Sequence, residues 1–262
     1  MTLLQNIGKW FLKILIIVIA VEAIHFLIIA NPSIFFSDQL IYKRYHVYSD
    51  ESINHEVLLM LDDVEERIKM VEVFDPSFSP KIFLCNDQGL YSFFATLLGM
   101  SPNSSGINVS LVSNTFINLT RLEEKQNYNN KLFEHSHIAG EESHNLAHEL
   151  VHNLTANKLG WFEYRKLPKW KNEGYAEYGV AIKNIRLEND SNSLFNRAKI
   201  YFEEYSFKMN NIQKLYLESQ LIVEYLFEIE NIGFEKFSDA TTLKETALLK
   251  FKNWYNNYSS SQ

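Results

Sequence analysis

Histidines and glutamates between Asn145 and Tyr178 constrain this chain more than any other stretch. In His148-Glu149-Leu150-Val151-His152 the two imidazoles lie four residues apart, one turn along one helical face, so both can reach a single ion. Glu149 is offset around the helix and would face a water on that ion rather than the ion itself. A catalytic zinc takes three protein ligands and leaves its fourth place to water. The segment Trp170-Lys171-Asn172-Glu173-Gly174-Tyr175-Ala176-Glu177-Tyr178 supplies the third candidate, Glu173, read as projecting from an Asn-Glu-Gly turn that opens a second helix. Glu177, one turn further on the same face, would accept the free N–H of His148 or His152 and hold its tautomer.

Other histidines fit this site less well. His144 shares the face of His148 but lies about 6 Å further along the axis at 1.5 Å per residue. His135 and His137 follow a polar stretch from Arg121 to Glu134, read as a loop, and have no carboxylate at informative spacing. All three are expected not to ligate.

The 262 residues are 46% hydrophobic and 14% aromatic, which is enough for a sizeable core and unlike a disordered chain. A formal net charge of −7 and the lack of a basic block argue against a nucleic-acid partner. Cys85 is the only cysteine, which excludes an intrachain disulfide and a thiolate cluster. Within Lys81-Ile82-Phe83-Leu84-Cys85 it reads as a buried strand residue, with a reactive thiol as the alternative.

Trp10 to Phe36 is strongly apolar, with an unbroken centre from Ile14 to Val21 behind Lys9 and Lys13. The stretch can span about 30 Å of hydrocarbon. Lys13, Glu22 and His25 do not gather on one polar stripe, so an interfacial amphipathic helix fits poorly. Residues 1–36 are therefore expected to form a membrane anchor, with the remainder on the extracytoplasmic side. Cleavage near Val21-Glu22-Ala23, which would release a secreted domain, and a buried core helix stay open as alternatives.

Residues 37–262 read as one domain of α+β type. Tyr42 to Tyr48 suits an edge strand, and Ile53 to Val71 carries a helical apolar stripe. Strands are expected at Ile82–Cys85, Ile107–Val112 and Thr115–Leu119, with a short helix over Tyr91–Leu98 ended by Gly99. Phe116-Ile117-Asn118-Leu119, just before the histidine helix, is either a cleft-lining edge or an ordinary sheet strand. The histidine helix is expected from a cap near Gly140 to Asn157, with Gly160 ending it. Beyond the crossing from Trp161 to Trp170, patterns at Tyr175–Ile185, Ser193–Phe207, Ile212–Ile229 and Leu243–Tyr258 predict a helical lobe.

The segment from His148 to Tyr178 resembles the gluzincin metallopeptidases, the group that includes thermolysin and the membrane aminopeptidases. It pairs a His-Glu-x-x-His helix with Trp-x-x-Glu-Gly-x-Ala-Glu-Tyr. Tyr216 to Leu226 is similar to the tyrosine-led helix that follows the zinc site in small peptidase-like proteins of this clan. The resemblance implies a zincin-like fold, zinc on His148, His152 and Glu173, Glu149 as base and Glu177 as supporting acid. Twenty residues, Asn153 to Asn172, separate the second histidine from Glu173, slightly more than in the best-known members, and Glu177 stands where thermolysin-like enzymes carry aspartate.

The expectation is a membrane-anchored, extracytoplasmic zinc metallopeptidase that hydrolyses a peptide or protein substrate with a zinc-bound water activated by Glu149. Tyr216 is the candidate donor to the oxyanion, a role typically worth about 3 kcal/mol, and its alternative is a packing residue. A relative that keeps zinc only for structure and binds without cleaving is the other reading. The intact Glu149 leans against it.

Overall fold

The computed structural model describes residues 2–120, 142–188, 191–205 and 211–260. His135, His137, the Arg121–Glu134 stretch and the expected cap near Gly140 lie outside them. Helix α1 runs from Thr2 to Ala30, and its Trp10–Ala30 part is long and apolar enough to cross a membrane. A 3-10 turn over Pro32–Phe35 follows. Then come β1 (Asp38–Tyr42), β2 (Tyr45–Ser49), α2 (His55–Ile68), β3 (Lys81–Cys85), α3 (Gln88–Leu97), β4 (Gly106–Val109) and β5 (Asn114–Asn118).

The five strands form one mixed sheet in the order β1-β2-β3-β5-β4, so the domain is α+β. Strands β2, β3 and β5 are parallel, and the outer pairs β1–β2 and β4–β5 are antiparallel. The expected single strand from Tyr42 to Tyr48 is instead a hairpin. Lys43, at φ 52°, turns the chain, and only the β1 side of the pair is a sheet edge. Asn54 caps α2 by accepting from the Val57 N–H at 3.1 Å, and Asp87 caps α3 from the Leu90 N–H at 2.7 Å. Gly99, at φ 66°, follows α3 as expected.

Successive strand residues point to opposite faces, and the sequence of β3 and β5 divides accordingly. Ile82, Leu84 and Ile117 enter the larger core, with α2 and the helices that follow the sheet. Phe83, Cys85 and Phe116 enter a smaller core with Tyr91 and Phe94 of α3. Phe83 stacks on Phe116 at 5.0 Å and Phe116 on Phe94 at 4.6 Å. Cys85 is a buried strand residue, and burial pushes its thiol pKa up, against a reactive role.

After the sheet the described chain is helical: α4 (Glu142–Leu159), α5 (Trp161–Tyr164), α6 (Lys169–Glu188), α7 (Ser191–Lys199), α8 (Asn211–Glu224), α9 (Phe234–Ser238) and α10 (Lys244–Ser259). Helix α7 continues as π-helix over Ile200–Tyr205, and α8 over Tyr225–Ile229. Helices α6 and α8 make the most extensive contact between elements, and α4 packs on α2, α6 and β4.

Candidate metal centre

Leu146, Ala147, Leu150, Val151 and Leu154 recur at spacings of one, three and four residues, and their burial in the larger core fixes which way α4 faces. Gly160, at φ 79°, ends the helix, its N–H donating to the Ala156 carbonyl at 2.8 Å. With the apolar face spoken for, His144, His148 and His152 line up toward α6, all three buried.

Helix α6 begins at the Pro168 boundary, where the Lys171 and Asn172 N–H groups donate to the Pro168 carbonyl. Asn172-Glu173-Gly174 is therefore helical, not the turn that the sequence suggested. Gly174 serves packing rather than turning: a Cβ there would lie 2.6 Å from the Ser219 carbonyl oxygen of α8. This close approach seats α6 between α4 and α8 with Glu173 and Glu177 aimed at the histidines.

His148 Nε2 is 3.0 Å from His152 Nε2 and 3.4 Å from Glu173 Oε2, and His152 Nε2 is 3.7 Å from the same oxygen. Ligand atoms at zinc distances on a tetrahedron stand about 3.4 Å apart. The three residues therefore fit zinc in spacing as well as in donor chemistry, and they form the one possible metal cluster among the described residues. Both faces of the histidines away from that point are also engaged. His148 Nδ1 lies 3.0 Å from Glu177 Oε1, and His152 Nδ1 lies 3.1 Å from Asn172 Oδ1. Such contacts hold Nε2 of each ring toward a metal.

Glu177 has a second partner that the sequence did not announce: His144 Nε2 lies 3.2 Å from Glu177 Oε2. His144 is thus outside the ligand triad, as expected, yet belongs to the site through that carboxylate. Burial disfavours the charge on Glu177, but His148 and His144 outweigh it and hold its pKa well below the usual carboxylate range. Glu173 behaves alike, with burial overcome by His148 and His152. For His148, burial favours the neutral ring, but Glu177 and Glu173 prevail and raise its pKa.

Glu149 lies against the edge strand β4. A Cβ on Gly106 of β4 would sit 2.7 Å from Glu149 Cγ and 2.9 Å from Oε1, so only glycine leaves the carboxylate its place. Asn108 of the same strand donates to the Glu149 backbone carbonyl at 3.1 Å. Desolvation raises the Glu149 pKa, offset in part by His148 and His152.

Of the two readings of the strand before the histidine helix, the structure bears out the ordinary sheet strand. Phe116-Ile117-Asn118 lies in β5, which is paired on both sides and wholly buried, so it presents no edge. The sheet edge on the side of α4 is that of β4, which pairs with no further strand among the described residues. Its short mixed sequence, Gly106-Ile107-Asn108-Val109, gives no sign of this, because strand order depends on pairing partners remote in the chain.

Tyr216 lies within α8 rather than at its start. Its ring is 6.1 Å from that of His148, and its hydroxyl is hydrogen-bonded to Glu173. Tyr164 of α5, which the sequence reading passed over, faces the site from the other side. Its ring is 6.4 Å from His152, its hydroxyl accepts from Asn172 Nδ2 at 3.1 Å, and it also bonds Ser110. Burial first, then nearby carboxylates, raises both phenol pKa values, so both tyrosines keep their protons. The place of Tyr164 nine residues before Glu173, near the start of the crossing, was the available signal. No family model and no curated protein matches the chain.

Proposed function

We propose that this protein is a zinc-dependent peptide-bond hydrolase of the gluzincin type, held at a membrane by α1 with its domain on the extracytoplasmic side. The observation that carries the reading is the tetrahedral spacing of the His148, His152 and Glu173 ligand atoms beside a desolvated glutamate. Zinc held by those three side chains would polarise the scissile carbonyl and lower the pKa of water toward about 7. The raised pKa of Glu149 suits its carboxylate to take a proton from the attacking water and return it to the leaving amine. Tyr216 and Tyr164, both protonated and on opposite sides of the triad, are the groups able to donate to the developing oxyanion. The edge of β4, unpaired among the described residues, can pair with an extended substrate backbone, which would lay the scissile bond along Glu149.

The full chain purified in detergent should hold about one zinc per molecule and cleave members of an unbiased peptide library. Glu149→Gln should keep the zinc and lose the cleavage. Protein without zinc, or cleavage unchanged in Glu149→Gln, contradicts the proposal. Zinc binding with no cleavage by the wild type would favour the non-catalytic binding reading.

A further inference from the structure

We propose that the substrates are extended segments of other proteins anchored in the same membrane, cut within about eight residues of the hydrocarbon edge. This rests on the hydrolase reading and on α1 as an uncleaved anchor.

No flexible linker separates α1 from the domain. His25 Nε2 meets the Leu97 carbonyl at 2.7 Å, the buried Asn114 donates through Nδ2 to the Ile29 carbonyl at 2.7 Å, and Ile28 packs on the smaller core. Beyond Ala30 the chain enters the 3-10 turn at the buried Pro32, and Phe36 then packs on Phe83 at 5.1 Å. The last turns of α1 thus belong to the domain. The height of the site above the bilayer is set by packing and not by the reach of a tether.

That height is small. Helix α1 starts at Thr2, so the hydrocarbon can end as early as the exposed Glu22 or as late as Ala30. In either case Ile29 lies within about 10 Å of its edge at 1.5 Å per residue. Asn114, which meets Ile29, opens β5 and pairs with Val109, the last residue of β4. Gly106, against which Glu149 lies, stands about 10 Å back along β4 at 3.3 Å per residue. With the Asn114 side chain between these two distances, Glu149 is at most about 25 Å from the hydrocarbon edge. Tilt of α1 or of the sheet only lowers that value.

An extended chain leaving the bilayer covers 25 Å in about eight residues. The edge of β4 runs from Gly106 beside Glu149 to Val109, level with the foot of α1, so a strand laid on it has one end directed at that foot. A soluble protein gains nothing from this placement. A segment with one end held in the same bilayer gains an effective concentration set by the length of its spacer.

The test uses the full chain in phosphatidylcholine vesicles and one randomised peptide library in two forms, free and lipid-anchored at either end. The anchored form carries Gly-Ser spacers lengthened in steps of about three residues up to about 24. Anchored peptides on short spacers should be cleaved at least about tenfold faster than free ones, with the advantage falling on the longest spacers. A variant with seven polar helix-forming residues inserted between Val21 and Glu22 lifts the domain by about 10 Å and keeps the docking face of α1. In it the best spacer should lengthen by about three residues, while free peptides are cut as before. Free peptides cleaved as fast as anchored ones overturn the proposal and leave the hydrolase reading standing. An advantage equal at every spacer and unmoved by the insertion overturns it too, because confinement alone would give that. Cleavage of neither form removes the hydrolase reading and the proposal together.

Discussion

Glu177 is the residue on which the site turns, because one carboxylate serves two histidines. Its Oε1 faces His148 Nδ1 and its Oε2 faces His144 Nε2, so removing it frees a ligand ring and leaves a buried histidine unsupported. Glu177→Ala should weaken zinc binding by about 10- to 100-fold, measured by competition with a chelator, and His144→Ala should act in the same direction with smaller effect. Gly106 is the counterpart on the other side of α4. In Gly106→Ala the new methyl would meet Glu149 at under 3 Å, so the carboxylate must move. Zinc content should be unchanged and cleavage should fall, separating this variant from Glu177→Ala in one pair of assays.

At the scale of elements, the fit of α6 against α8 decides whether two histidines on one helix ever meet two glutamates on another. Gly174 permits the approach, and Gly179 does the same against Val71 and Val151. Gly174→Ala raises helix propensity, yet its Cβ would press on the Ser219 backbone. The overpacking should win, costing about 1–3 kcal/mol and appearing as a lower midpoint of thermal unfolding by circular dichroism. Lys171 secures the start of the same helix. It is fully buried, donates to the Asp239 carbonyl at 2.5 Å and lies over the Trp170 and Phe237 rings. Burial lowers its pKa, with Asp239 opposing.

At the scale of the whole molecule, tyrosine–glutamate pairs tie elements together: Tyr45 to Glu65, Tyr178 to Glu228, Tyr201 to Glu218 and Tyr255 to Glu203. Burial, then the partner carboxylate, raises the phenol pKa in Tyr45, Tyr201 and Tyr255, in the last to about 12. Below pH 10, the ordinary tyrosine value, these groups are protonated in both states and their contribution is complete. Above it the unfolded chain ionises while the folded chain keeps its protons, so stability is lost as pH rises, for Tyr255 up to about pH 12. Thermal unfolding of the full chain in detergent should therefore fall in midpoint across pH 10–12, and less steeply in Tyr255→Phe.

Local chemistry by itself determined the apolar α1, the alternation that splits β3 between two cores, the capped α2 and α3, and the pair of histidines on one face of α4. Each of these is a repeat or a cap within one element, set by helical or strand period. Tertiary structure alone decided the rest. The expected turn at Asn172-Glu173-Gly174 became helix because its glycine answers to Ser219, some 45 residues away. Which strand lies at the sheet's edge beside the site, β4 rather than β5, was settled only here, because an edge exists only relative to the other strands. Gly106 and His144 entered the site through contacts with residues distant in sequence, and no spacing along the chain encodes such a distance.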